Sequence, residues 1–233
     1  LIGSGFTAAG DLETATSYFT ETLQSDDDHL PAMLAMAQLS ELDGDGPLML
    51  AWLQRATASD PSAPEPRLRL ARYYVMTADF QHAEELAEPL VQSSPDDPLA
   101  LEILGLAQLG RGRYADAGRN LGNAIRLRPD AIETYVELAV SQMALNDVAG
   151  ATQTLEKANE VQPDHLQATA MLASLTIRSG DLQQADAMID HLLALDEVSA
   201  LPYTLRGDVL TARHEDAAAA RAYGRAAELS NSR

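Results

Sequence analysis

The chain contains no cysteine, which removes disulfides and cysteine-ligated metal sites from consideration and is compatible with either redox compartment. Aromatic residues make up only 5% of it, while 46% is hydrophobic. A core of that composition is built from small and aliphatic contacts rather than large ring clusters. Lysine is almost missing: Lys157 stands alone, and the other basic residues are arginine. The formal net charge is −19, which argues against a nucleic-acid binder, since that needs a basic face. No apolar run reaches the roughly 18 residues of a membrane span.

Catalytic patterns are also missing. The five histidines occur without H-E-x-x-H, and there is no phosphate-cradling G-x-x-x-x-G-K-[ST] and no G-x-S-x-G elbow. Asp43-Gly44-Asp45-Gly46 superficially suggests a calcium loop, but the acid it requires would fall at Trp52. The stretch reads as a helix-to-helix turn. We read the chain as a non-enzyme with no cofactor and no metal. His29 and His165 read as solvated loop residues.

What is present is periodicity. Pro98 to Ala131 reads as two amphipathic helices. Leu101, Leu104, Gly105 and Gln108 share one face, Gly110 and Gly112 break the run, and Ala117, Leu121 and Ala124 continue on a second helix. A unit this short cannot bury its apolar stripe alone and needs copies of itself. Pro61, Pro95, Pro129 and Pro163 mark the copies at 34-residue spacing. With Pro98 as position 1, position 8 holds Gly3, Ala37, Ala71, Gly105, Ala139, Ala173 and Gly207. Position 20 is alanine throughout except at Met49, and position 24 runs Phe19, Leu53, Ala87, Leu121, Leu155, Ile189, Tyr223. Small residues at 8 and 20 let two helix backbones approach, and larger ones beside them fill the gap. The expected organisation is one domain over 1–233: a partial repeat at 1–29, then 30–63, 64–97, 98–131, 132–165, 166–199 and 200–233. Because the chain opens inside a first helix without Met, we expect it to be part of a longer protein.

Several local features carry expectations. Gly10 should make the first turn, Asp26 to Asp28 and Asp130 are placed to cap following helices, and Pro47, Pro64 and Pro66 suit first helical turns. Pro89 lies inside a second helix and should bend or end it near Ala87. Repeat four is the basic one, with Arg111, Arg113, Arg119, Arg126 and Arg128, and Arg206 stands where earlier repeats have Leu or Met.

This pattern resembles the tetratricopeptide (TPR) repeat in period and in its small and large columns along the whole chain. The resemblance implies an all-α fold, a solenoid of antiparallel helix pairs in a right-handed superhelix, whose first helices line a concave groove. It also implies a protein or peptide partner held in that groove, and hence an interaction scaffold. The alternatives are a regulatory or substrate-recruiting arm of a larger enzyme, or a structural spacer in an envelope complex. The Lys, Asn and Arg set with which chaperone-binding members clamp a carboxylate is missing: position 5 reads Leu34, Leu68, Glu102, Val136, Ala170, Thr204. The residues assigned to the groove are Arg69, Arg72, Glu102, Leu106, Leu109, Val136, Val140, Met143 and Arg178. In repeat style, 50–75 and 201–212 are similar to the TPR lipoproteins of bacterial PEP-CTERM/exosortase systems. That similarity implies a role in exopolysaccharide export or surface-protein sorting, in a periplasmic parent held to the membrane through an anchor outside this sequence; a cytoplasmic location is the alternative.

Overall fold

The computed structural model describes residues 11–231, and within them every regular element is an α-helix. In order these are α1 (Leu12–Ser25), α2 (Leu30–Leu42), α3 (Gly46–Ser59), α4 (Pro64–Met76), α5 (Phe80–Ser93), α6 (Pro98–Gly110), α7 (Tyr114–Leu127), α8 (Ile132–Ala144), α9 (Val148–Val161), α10 (Leu166–Ser179), α11 (Leu182–Leu195), α12 (Ala200–Ala212) and α13 (Asp216–Asn231). No strand occurs among the described residues, and the all-α class expected from the sequence is the one observed. Gly3 and Gly10, assigned above to the small column and to a turn, lie outside the described residues. By contact the chain separates into two compact units, Leu1–Asn120 and Leu121–Arg233.

One turn is repeated throughout. Position 15 is left-handed in each described repeat: Gly44, Gly112 and Gly180, but also Ala78, Asn146 and His214. The next N–H closes the Schellman bond to position 11, as from Asp79 to the Tyr74 carbonyl (2.8 Å) and from Asp147 to the Gln142 carbonyl (2.8 Å). That same residue N-caps the second helix. Asp11, Asp45, Asp79, Asp147 and Asp181 each accept from a backbone N–H three residues on. A single aspartate thus ends one helix and starts the next, leaving a hairpin of only two or three residues.

First helices are capped one column later than expected, at position 34. His29 and His165 are the N-caps of α2 and α10, with each Nδ1 accepting from the N–H of Ala32 or Ala168 at 3.1 and 3.2 Å. They are therefore bound cap residues rather than free loop histidines. Asp27 and Asp28 offer their main-chain carbonyls to Arg55 and Ser59 and do not cap. Asp130 does not cap either: the N-cap of α8 is Ala131, which has no side chain for the purpose.

Packing follows the small columns. In the first unit Ala37 and Ala71 of position 8 and Ala15, Ala83 and Ala117 of position 20 are buried, and in the second unit Ala139, Ala173, Ala151 and Ala185 are. Gly110 is not part of the turn. It is the last residue of α6, and a Cβ there would collide with the Phe80 ring. Gly207 is likewise seated against the Tyr223 ring. Gly46 is the first residue of α3 rather than a turn residue.

Pro89 does not end its helix: α5 runs through it to Ser93. Pro89, Glu85 and Glu88 face solvent, so water can serve the carbonyl that the proline leaves unpaired, while Ala83, Ala87 and Leu90 hold both halves of the helix in the core. Burial of Leu90 alone is worth about 1.5–3 kcal/mol, comparable to the roughly 3 kcal/mol cost of the proline.

Candidate functional site

The residues assigned to the groove divide between the two units. In the first unit Arg69 and Glu102 are half-buried, Leu106 and Leu109 are half-buried, and Arg72 is exposed. Arg69 pairs with Glu65 at 2.8 Å, one turn earlier on the same helix. In the second unit Arg178 is exposed, Val140 is 36% exposed, and Met143 is half-buried against the core. Val136 is only 2% exposed and packs with Ile132, Tyr135, Ala139 and Leu172. It is a core residue and leaves the set. Val136 packs against Leu172 of the following repeat, which a one-repeat helical wheel does not reveal.

The built feature of the first unit lies one to two repeats earlier than the sequence pointed. A cleft of about 360 Å³ opens between α2, α4 and α6. Ala37, Leu53, Leu68 and Ile103 form its apolar floor, with Met49, Met76 and Leu99 beside them and Gln38, Glu41, Glu65, Arg69 and Arg72 at the polar margin. Met76 and Leu99 are 62% and 45% exposed. Among the described residues Arg72 has no ion pair. Two of the assigned residues, Arg69 and Arg72, line this cleft, whereas Glu102, Leu106 and Leu109 do not. The sequence carried a signal for it. Position 20 is alanine in every repeat but the second, and the methionine there, Met49, lines the cleft.

The basic character of repeat four has another cause. Glu84, 3% exposed on α5, forms ion pairs with Arg111 and Arg113 and accepts from Gln108 at 3.4 Å. Arg113 also meets Asp116 at 2.6 Å, and Arg119 pairs with Asp116. Donation from Arg113 holds the Asp116 carboxyl below the usual carboxylate range, and Asp116 in turn raises the Arg113 guanidinium. These arginines are engaged within the fold and do not form an open basic patch. The second unit repeats the arrangement: Asp186 pairs with Arg213 and, at 2.8 Å, with Arg206, which also reaches Asp190. In both units an acid at position 21 takes the arginine found 27 residues later. Arg206, conspicuous among leucines, is explained by this seam.

Two models of the tetratricopeptide repeat match the chain, over 68–132 and 108–175. Superkiller complex protein 3 of Mus musculus is 27% identical over 203 residues, which is 85% of this chain and 13% of that protein. The chain therefore spans a small part of the curated relative it matches. A tetratricopeptide repeat protein from Parabacteroides merdae superimposes with a TM-score of 0.73 at 16% identity, covering 97% of this chain and 90% of that one. YrrB, described as a TPR protein with an unusual peptide-binding site, gives 0.62 at 16% identity over 79% of this chain and 95% of that one. Identities this low speak for the fold alone. Together with the helix pairs they show the fold class, an all-α TPR-repeat fold. TPR repeats are protein-interaction scaffolds, and their ligands are generally proteins or peptides.

Proposed function

We propose that the chain is a non-catalytic interaction module that captures a short segment of a partner protein in the cleft between α2, α4 and α6. The observation carrying this reading is the combination of an apolar floor with the unpaired guanidinium of Arg72 at the margin. Apolar burial supplies affinity at about 25 cal/mol per Å² before ordering costs, and Arg72 sets orientation and encounter rate. The segment that fits is an apolar side chain with a carboxylate beside it. The size of the cleft lies within the roughly 300–1,000 Å³ of ordinary ligand pockets.

Panning a random-peptide display library on the immobilised chain tests this. Recovered peptides should carry that pattern and should bind Leu99→Asp about tenfold more weakly, a loss of about 1.4 kcal/mol. Leu99 sits in the first turn of α6 and is largely exposed, so an acid there suits the helix dipole and leaves the fold intact. Arg72→Glu should weaken binding in a salt-dependent way. Peptides that bind Leu99→Asp as tightly as the parent would place the site elsewhere. The finer assignment, a periplasmic, membrane-anchored scaffold in exopolysaccharide export or surface-protein sorting, is supported by the repeat style of 50–75 and 201–212 alone. The sequence of the whole parent protein decides between it, an enzyme's recruiting arm and a spacer.

A further inference from the structure

We propose that Met76 is an oxidation site, and that its sulfoxide closes the cleft to apolar ligands; this rests on the reading of the cleft given above. The chain has no thiol to intercept an oxidant, so its reactive sulfur is methionine. Among the seven methionines exposure is uneven. Met33 is fully buried, Met36 is 8% exposed, and the remaining four are half-buried. Met76 is 62% exposed, at the last position of α4 and at the mouth of the cleft.

Hydrogen peroxide is the oxidant that fits an open thioether. A sulfur lone pair takes one peroxide oxygen, the O–O bond breaks, the sulfur loses two electrons, and the peroxide leaves as water. The product is polar and a strong hydrogen-bond acceptor where an apolar side chain stood. Its position gives it a second effect. Arg72 lies four residues earlier on the same helix, and both side chains line the cleft, so the sulfoxide oxygen comes within reach of the unpaired guanidinium. One oxidation thus removes an apolar contact and engages the cation at the margin.

The test uses bis-ANS, an apolar dye with sulfonates, as the probe on the whole chain. After graded peroxide treatment, peptide mapping by mass spectrometry should find Met76 oxidised ahead of the other methionines. Dye affinity should fall about tenfold in step with it, as expected when an apolar contact becomes an uncompensated polar one. Met76→Leu should keep its dye affinity under the same treatment, and Met76→Gln should bind weakly without any peroxide. Earlier oxidation of a half-buried methionine, or an equal loss in Met76→Leu, overturns the inference. Failure of the cleft reading shows separately, as unoxidised Leu99→Asp binding the dye as well as the parent does.

Discussion

At the scale of single residues, the hairpin turn shows where this sequence is under local strain. Position 15 must be left-handed for the Schellman bonds to form, and three of the described repeats meet that demand with glycine. Ala78, with φ of 59°, does not. A Cβ in that region costs roughly 1–2 kcal/mol, and glycine's greater unfolded-state freedom offsets part of any gain. Ala78→Gly should therefore stabilise the chain by about 0.5–1 kcal/mol, read as a higher urea midpoint with unchanged slope. Gly112→Ala should move the midpoint the opposite way. An unchanged midpoint for both would mean that the hairpin relaxes elsewhere and that its geometry is not what holds the register. The histidine caps belong to the same scale. They were legible as a column, since His29 and His165 share position 34, but a capping role depends on where Nδ1 points, which spacing does not give.

At the scale of helices, the small columns and the charged seams divide the work. Alanine at positions 8 and 20 sets how closely helices approach, and this was readable because close backbone contact admits few residue types. The seams were not readable in the same way. An acid at 21 and an arginine 27 residues on are common residues at an unremarked distance, and only the packing brings them together. Glu84 is the more buried of the two acids, but its arginines Arg111 and Arg113 are 42% and 46% exposed. Removing the carboxylate lets them turn to water, so the loss stays below that of a fully buried pair. Glu84→Gln should destabilise by about 1–3 kcal/mol, and Glu84→Met should recover part of that by filling the site with an apolar chain. A double-mutant cycle of Glu84 with Arg111 measures the coupling, and a coupling energy near zero would demote the seam to incidental contact. Pro89 shows the limit of local rules: its helix continues because the side chains around it are already held.

At the scale of the whole chain, charge is the feature that composition gave and structure redistributed. The class was legible from the 34-residue period together with its small and large columns; the cleft was not, because its trace in the sequence is one methionine, Met49, in a column otherwise of alanine. A net charge of −19 destabilises any compact state through self-repulsion, and much of the acidity sits on exposed caps and loops such as Asp26, Asp27 and Asp28. The seams oppose this, pairing Glu84 and Asp186 with arginines in partly sheltered positions where salt screens weakly. The two contributions therefore respond differently to ionic strength. Raising salt from about 10 mM to about 150 mM shortens the Debye length from about 30 to about 8 Å, which removes long-range repulsion first. The thermal midpoint should rise over that range. Glu84→Gln, with one negative charge fewer and the seam broken, should start lower and rise less. A midpoint that falls with salt would mean that exposed ion pairs such as Arg69–Glu65 outweigh the repulsion, and the excess acidity would then have to be reread as locally balanced.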